Sequence, residues 1–336
     1  MAYDAKELFF LSPAYSTAKT IKNISSHFSE WLKKHSHQDD LVLHHYTTFE
    51  GLKGILQNRS IRFSHTSTLN DPSEISYGKH LVTDVINEII ALQDNNDIIS
   101  FLQSLINDVY ALHSAYYEYY VACFCKSENL LSQWRSYASL GGGYNLALEI
   151  DTDTKFYHKT NEYNQPLYIV LRKILYDKNE QKTIVSQYLN SAINELQEEL
   201  VEFEKNSEDI PLGWSSVKSM AYVNILFDFI LSFKNNVFAE EEEWRLILGR
   251  EASHNLEQLA FKETKDGFVP YIEIAIINER DDKFIFPVHK VKCGPMLDFE
   301  RTKPTLNLFI KSIASTNNRI KIENIDITDA GYRLRD

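Results

Sequence analysis

The sequence has few of the residues that mark disulfide-rich, collagen-like or metal-stapled proteins. Its 336 residues include 3 cysteines, Cys123, Cys125 and Cys293, which are odd in number and form no Cys-x-x-Cys pair. A disulfide framework or a structural zinc site is therefore not expected, and a reducing cytoplasm fits this cysteine content. With 11 glycines and 8 prolines, the chain has neither a collagen-like repeat nor a low-complexity linker.

Long apolar runs are also missing. The most apolar stretch, 223–233, is short and contains Asp228, whereas spanning a bilayer takes about 20 apolar residues. Charged residues precede any apolar run in 1–10, unlike the start of a secretory signal, so we expect a cytoplasmic protein without a membrane segment. The formal net charge of −12 argues against a general nucleic-acid coating protein, because phosphate neutralisation needs basic side chains.

What the sequence does contain is a mixture of strand and helix patterns. Strand-like runs occur near both ends of the chain, and blocks with apolar residues at steps of three and four lie between them. This order predicts an α+β fold with helical insertions rather than a regular βαβ alternation. The predicted strands are 41–43, 61–64, 121–125, 144–150, 166–176, 243–248, 269–277, 284–293 and 320–327. The predicted helices are 16–35, a helix capped by Thr47 or Thr48, 73–119, 130–138, 180–236 and one within 303–336.

Two polar clusters follow the first strands. His44-His45-Tyr46-Thr47 lies where a strand runs into a helix. Successive strand side chains point to opposite faces, so we expect only one of the two histidines to face a given cleft. The second cluster, Asn70-Asp71-Pro72-Ser73-Glu74, has turn chemistry, and its polar side chains either cap the next helix or bind ligand hydroxyls. A structural role is the more common one for short motifs of both kinds.

Two segments in the middle of the chain also allow two interpretations each. Cys123-Phe124-Cys125 places both thiols on one strand face without a basic neighbour, which favours packing over covalent catalysis. Trp134 and Tyr137 share one face of a short helix, where they either pack in the core or flank a flat ligand ring. The glycines 141–143 lead into a strand and lack the Lys-Ser/Thr of a phosphate loop, so they are predicted to form a flexible turn.

The stretch Glu240-Glu241-Glu242-Glu243-Trp244-Arg245 carries the most information. Four glutamates run directly into what looks like a buried strand. Strand alternation would place Glu241, Glu243 and Arg245 on one face and Trp244 on the other. Two carboxylates and a guanidinium in a row form either a charge ladder at a sheet edge or one wall of a cleft.

Taken together, these motifs resemble those of a bacterial family classified as a domain of unknown function. Its members carry a His-Tyr-Thr start, an Asn-Asp-Pro-x-Glu loop, a Ser/Cys-Phe-Ser strand, a Trp-x-x-Tyr helix and a late Glu-x-Glu-x-Arg strand. The corresponding segments here are His45–Thr47, Asn70–Glu74, Cys123–Cys125, Trp134–Tyr137 and Glu241–Arg245, spread over about 41–300. The family itself implies no activity.

The same order of motifs is similar to that of the ADP-ribosyltransferase superfamily, whose fold is a split β-sheet. His45 and Thr47 match its first strand, and Glu241 and Glu243 match the Glu-x-Glu of its late strand. Cysteines replace the serines that its middle strand usually carries. The resemblance implies a catalytic core over 41–300 with a helical insertion at about 180–236, a helical extension over 1–40, and a C-terminal helix and strand over 301–336.

This resemblance implies an enzyme that consumes NAD and needs no metal. Glu243, Glu241 and His45 would be its catalytic residues. Glu243 would stabilise the positive charge on the ribose as the nicotinamide bond breaks and accept a hydrogen bond from the 2′-hydroxyl, and Glu241 would orient or deprotonate an acceptor. His45 and Thr47 would hold the adenosine-side ribose. Of the remaining NAD-binding candidates, Trp134, Tyr137 or Tyr77 would stack on nicotinamide or adenine, and Arg245 or Arg135 would bind the diphosphate. Tyr46, Asn70 and Asp71 complete the set.

The resemblance leaves the reaction open between transfer of ADP-ribose to a protein or nucleic acid and hydrolysis of NAD. It places such an enzyme among bacterial toxins or anti-phage effectors. An alternative interpretation is a non-catalytic module that binds a nucleotide or a peptide and recruits a protein partner through 180–236. A nuclease has less support, because the net charge is negative and the sequence contains no clustered Asp, Glu and His set for a metal.

Overall fold

The computed structural model of the chain describes residues 41–69, 73–115, 117–151, 154–159, 166–251, 258–264 and 267–333. The predicted helix 16–35, the predicted extension 1–40 and the candidate site residues Asn70 and Asp71 lie outside the described residues. In the described part, strands from both ends of the chain meet in one mixed sheet of 13 strands, with helical blocks inserted between them. The α+β prediction is therefore confirmed.

The sheet is mostly antiparallel and its strands do not follow chain order. A continuous path runs β12-β10-β9-β2-β3-β1-β4-β11-β13, while β7 pairs with β3, β6 with β7, and β5 and β8 with β9. The strands are β1 Leu41–Thr47, β2 Ser60–His65, β3 Tyr117–Cys125, β4 Tyr144–Ile150, β5 Thr154–His158, β6 Val170–Lys173, β7 Glu243–Glu251, β8 Ala260–Thr264, β9 Gly267–Arg280, β10 Lys283–Ile285, β11 Val288–Cys293, β12 Ile320–Lys321 and β13 Asp326–Asp329.

The described helices match the predicted blocks, with two interruptions. They are α1 Phe49–Asn58, α2 Ser73–Ile90, α3 Asn96–Ala115, α4 Leu131–Tyr137, α5 Lys178–Asn206, α6 Trp214–Ser232 and α7 Phe299–Ala314. Of the two predicted caps, Thr47 and Thr48, it is Thr48 that caps α1, since its side chain accepts a hydrogen bond from the Gly51 amide. The predicted runs 73–119 and 180–236 are each a pair of helices joined by a short loop, and β3 begins inside the first run at Tyr117.

Some predicted strands are shorter than expected or divided. The prediction of one strand over 284–293 is wrong, because β10 ends at Ile285 and β11 begins at Val288. Pro287 lies in the gap and has no amide N–H to donate to a neighbouring strand. The predicted strand 320–327 likewise consists of two short strands, and within 166–176 only β6 is a strand.

Strand β3 is the branch point of the sheet. One edge of β3 pairs with β7 over its whole length. Its other edge is shared, because β2 pairs with it at Val121 and Tyr120, and β1 pairs with it at Cys125. Between these contacts β1 and β2 diverge, and the edge of β3 at 122–124 faces a cavity. We call this place the fork.

Two apolar clusters support the fork from different sides. One consists of the sheet together with α1 and α7, and includes Leu43, Phe63, Leu246 and Ile274. The other consists mainly of α2, α3, α5 and α6, with Phe101 and Phe227 among its buried side chains. The predicted insertion 180–236 is therefore packed against α2 and α3. None of the described helices combines the length and the apolar character that crossing a membrane requires.

Candidate functional site

The fork holds a cavity of about 200 Å³ lined mostly by polar side chains. Its wall combines the end of β1, the edges of β2 and β3, the start of β7, one residue of α2, two residues of α4, and residues of the segments that follow β2 and α6. His45, Tyr46, Tyr137, Glu241, Glu243 and Arg245, all predicted from the sequence, lie in this wall, together with His44, Arg62, Ser64, Glu74, Cys123, Gln133 and Lys234. Residues far apart in the chain thus meet because β1 and β7 flank the same strand.

Both histidines of β1 line the cavity, so the expectation that only one would do so is wrong. The cavity opens where β1 leaves β3, and the three consecutive residues His44, His45 and Tyr46 all border it. The carbonyl oxygen of Cys123 accepts a hydrogen bond from Nδ1 of His45 at 3.0 Å, which leaves Nε2 as the acceptor nitrogen of that ring. Burial lowers the pKa of His45, so the imidazole is neutral at pH 7.

His44 is buried and pairs with Asn145 on β4. Its Nδ1 lies 3.1 Å from the Asn145 side-chain oxygen. Burial, partly offset by this hydrogen bond, lowers the pKa of His44 to about 4. The native state therefore holds His44 without a proton over a pH range in which an unfolded chain would bind one.

We expect His44 to make the protein less stable as the pH falls. Its pKa is about 4 in the native state and near 6.5 in an unfolded chain, so the unfolded state binds more protons between these values. The resulting loss between pH 7 and pH 4 is roughly 3 kcal/mol. Urea unfolding of wild type and His44→Asn at both pH values should show the wild type losing more stability. Equal losses of stability in wild type and His44→Asn would contradict the burial of a neutral His44. The variant His80→Asn, at an exposed histidine, serves as the control.

Five charged side chains, four of them buried, form a cluster along one side of the cavity. Glu243, at the start of β7, accepts hydrogen bonds from Arg245 Nε at 2.7 Å and from Lys234 Nζ at 3.0 Å. Glu74, from the first turn of α2, binds Arg245 at 2.6 Å and Lys234 at 2.9 Å. Glu241 binds Lys234 at 2.5 Å. We call these five residues the charge cluster.

The two glutamates of the Glu-x-Glu motif have different electrostatic surroundings. Burial alone would raise the pKa of Glu243, but Arg245 and Lys234 hold it at about 2. Burial raises the pKa of Glu241, and the single ammonium of Lys234 only partly offsets it. A pair of carboxyl groups whose pKa values are driven apart is a common arrangement for acid–base chemistry. With every carboxylate ionised, three acids and two bases leave the charge cluster with a net charge of −1.

Glu241 reaches this cluster by a route that strand alternation did not predict. It ends a short 3₁₀ helix, Asn236–Glu241, and Glu242 follows with φ of 45° in the left-handed region. Only Glu243 and Arg245 are alternate residues of β7. The two glutamates meet because both bind the ammonium of Lys234, and not because they share one strand face.

Cys123 lies beside Glu243 and donates a hydrogen bond from its thiol to that carboxylate. Burial and the charge of Glu243 raise the pKa of the Cys123 thiol well above its usual value. A thiol that stays protonated is a hydrogen-bond donor and a poor nucleophile. The interpretation against covalent catalysis by this cysteine therefore agrees with its surroundings.

Two predicted ligand contacts are contradicted by the geometry. Trp134 is fully buried, packs edge-on against Tyr46, and donates its indole N–H to Asn129 at 2.9 Å, so it cannot stack on a ligand. Arg245 is 1% exposed, and its guanidinium binds Glu243, Glu74 and the carbonyl oxygen of Leu231, so it is not available to a diphosphate.

The other predicted residues divide between the cavity and its surroundings. Tyr46 lies in the wall, but its hydroxyl is engaged by the backbone of Ser127 and Leu130. Tyr137 is 38% exposed and faces the cavity. Thr47 and Arg135 lie outside the described wall of the cavity. Tyr77 lines a neighbouring cavity of about 240 Å³, which has Glu74 in its wall as well.

Several members of the site were not predicted from the sequence. Glu74 ends the predicted Asn-Asp-Pro-x-Glu motif, in which Asn70 and Asp71 were the predicted ligands, but it is Glu74 that enters the charge cluster. The sequence signal for Glu74 was its place at the end of this motif, four residues after Asn70. Lys234 follows an apolar helix and has no motif around it, so nothing in the sequence pointed to its burial between three carboxylates. Among the described residues, no group of three or more His, Cys, Asp or Glu side chains could hold a metal ion.

Of the two resemblances, comparison with known families supports the one to a domain of unknown function. Residues 133–246 match the model of a family described as Protein of unknown function (DUF2971). The matched segment runs from Gln133 of the cavity wall through Lys234 to Leu246, and so contains Glu241, Glu243 and Arg245. The predicted similarity to a domain of unknown function is confirmed over this segment. Searches of curated proteins and of solved structures found no match.

Proposed function

We propose that the protein is an NAD-consuming enzyme with an ADP-ribosyltransferase-like split sheet, which transfers ADP-ribose to a macromolecule or hydrolyses NAD. The observation that carries this proposal is that His45 of β1 and Glu243 of β7 line one cavity, at the place where the sheet divides. Positioning of reacting groups around one ligand supplies much of an enzyme's rate gain, and these two residues are separated by nearly 200 positions in the chain.

The electrostatics of the cavity suit cleavage of a bond between ribose and nicotinamide. As this bond breaks, positive charge develops on the ribose, as in the hydrolysis of glycosides. A fixed carboxylate stabilises that transition state more than the ground state. Glu243 meets the requirement, because its pKa of about 2 keeps it ionised at neutral pH. The net negative charge of the charge cluster also stabilises the positive charge on the ribose.

The size of the cavity limits which part of NAD it holds. Its volume of about 200 Å³ is below the roughly 300–1,000 Å³ of sites that enclose a whole small-molecule ligand. We therefore assign it the nicotinamide ribose, with the half-exposed ring of Tyr137 beside the nicotinamide. In place of Arg245 we assign the diphosphate to Arg62, whose side chain is 50% exposed at the cavity wall. Stacking of Tyr77 on adenine stays a prediction.

The proposal is tested by incubating the purified chain with NAD and measuring released nicotinamide. Release with free ADP-ribose as the second product indicates a hydrolase. Release with label transferred from adenine-labelled NAD to added protein or nucleic acid indicates a transferase. Absence of release in the presence of both kinds of acceptor would contradict the proposed function.

A second candidate is a binding module without turnover, and one observation favours it. Both carboxylate oxygens of Glu243 already accept hydrogen bonds, from Arg245 and from Lys234, so substrate must share this carboxylate with two cations. In this case the cavity binds a nucleotide or a peptide, and the helical insertion contacts a protein partner. Calorimetric binding of NAD without release of nicotinamide would support the module over the enzyme.

A further inference from the structure

Lys234 connects three carboxylates that come from three different elements. Its ammonium lies 2.9 Å from Glu74 on α2, 2.5 Å from Glu241 at the end of the 3₁₀ helix, and 3.0 Å from Glu243 on β7. An ammonium group has three N–H donors, so these contacts use all of them. The residue is 5% exposed, which makes the contacts less subject to screening by solvent and salt.

The backbone of Lys234, near the end of the helical insertion, is held by Leu175 just before the insertion and by Gln181 within it. Its amide donates to the carbonyl oxygen of Leu175 at 3.0 Å, and its own carbonyl oxygen accepts from Gln181 Nε2 at 3.0 Å. Gln181, on α5, is fully buried and accepts a hydrogen bond from the Tyr77 hydroxyl at 2.7 Å. The insertion therefore sets the point from which the lysine side chain enters the charge cluster.

We propose that Lys234 is a positioning residue of the site, which holds Glu241 and Glu243 in fixed relation to each other and to the cavity. This proposal rests on the proposed function. It gives the helical insertion a role in the reaction, because the insertion anchors the residue that orients both carboxylates. Glu241 depends on this contact most. It lies outside β7, and within the described part of the chain Lys234 is the one cation paired with it, whereas Glu243 also binds Arg245.

Removal of the ammonium has a defined electrostatic consequence. The charged and titratable groups facing Lys234 are Glu74, Glu241, Glu243, Arg245 beyond them, and Tyr176, whose hydroxyl accepts a hydrogen bond from the Glu243 amide. Lys234 lowers the pKa of Glu241, and Glu243 and Glu74 raise it. Loss of Lys234 therefore raises the pKa of Glu241 further. If the ionised form of Glu241 is the active one, a protein without Lys234 loses activity at a higher pH than wild type does as the pH falls.

The test compares Lys234→Met with Lys234→Arg and with Lys182→Met. Lys182 lies on the same insertion and forms an exposed ion pair with Glu88, so its removal controls for the loss of a lysine. We expect Lys234→Met to reduce nicotinamide release about 100-fold, as displaced reacting groups do. We also expect the acid limb of the pH–rate profile of Lys234→Met to move to higher pH. Lys234→Arg should recover part of the rate. Lys182→Met should behave as wild type. A folded Lys234→Met with the wild-type rate and pH profile would overturn the proposal.

A second measurement separates this proposal from the proposed function. The carboxyl carbons of ¹³C-labelled glutamate are titrated in wild type and in Lys234→Met, with Glu241→Gln to assign the signal of Glu241. An upward shift of that titration in Lys234→Met supports the positioning contact even if wild type releases no nicotinamide, which would then count against the proposed function alone. An unchanged titration overturns the role of Lys234. If Lys234→Met does not fold, Lys234→Gln, which keeps donors without the charge, takes its place in both measurements.

Discussion

Replacement of Glu243 by Gln is expected to reduce nicotinamide release by about 100–1,000-fold, because a preorganised group that stabilises charge in the transition state contributes on this scale. The amide has nearly the shape of the carboxylate but cannot offset positive charge on the ribose. Glu243→Gln also leaves Arg245 and Lys234 with one carboxylate fewer, so its unfolding must be measured together with its rate. Initial rates at saturating NAD check the prediction.

Two further variants make the Glu243 result specific. Glu243→Asp keeps the charge within reach of the cations but withdraws it from the cavity, so we expect a large loss of rate with a smaller loss of stability. Glu242→Gln removes a neighbouring charge that is exposed, and it should leave both quantities unchanged. Full activity of a folded Glu243→Gln would show that this carboxylate has no part in the chemistry.

Replacement of Arg245 by Met is expected to lower the free energy of unfolding by about 3–5 kcal/mol, the usual cost of breaking a buried ion pair. Arg245 is 1% exposed and lies between Glu243 and Glu74. Without the guanidinium, two buried carboxylates would depend on Lys234 alone. Urea unfolding at neutral pH measures the difference from wild type.

The matched control for Arg245 is Arg62→Met. Arg62 also lines the cavity, but its side chain is 50% exposed and its ion pair with Glu273 spans 3.4 Å. Exposed pairs of this kind contribute about 1 kcal/mol or less, so Arg62→Met should stay close to wild type in stability. If Arg245→Met were as stable as wild type, the charge cluster would not be a structural unit, and the revised role of Arg245 would be wrong.

The local elements of the fold could be predicted because their signals are local. Alternation identified β4 at its observed bounds, and Thr48 marked the start of α1. The divided strands were not predicted, since the loss of pairing around Pro287 depends on neighbouring strands as well as on the residue itself. The order of the strands depends on contacts between distant segments, about which a single sequence carries no direct signal.

The candidate site was only partly predictable for the same reason. The residues of β1 and β7 were predicted from motifs, but alternation failed for His44 and His45, because both of them line the cavity at the fork. It failed again for Glu241, which follows a 3₁₀ helix. For Trp134 the sequence allowed two roles, because an aromatic residue at helical spacing can pack in a core or stack on a ligand. In the structure Trp134 packs in the core. Lys234 acquires its role only through the folded insertion that holds its backbone.

The proposed function requires Glu243 and His45 to contact one dinucleotide in the fork. A crystal structure of the protein with a non-cleavable NAD analogue would show whether both residues contact the ligand. We predict the 2′-hydroxyl of the nicotinamide ribose at roughly 2.5–3.0 Å from a Glu243 oxygen, the normal range for such a hydrogen bond, with His45 on the same ligand. An analogue bound away from the fork, with Glu243 still enclosed by Arg245 and Lys234, would contradict the account.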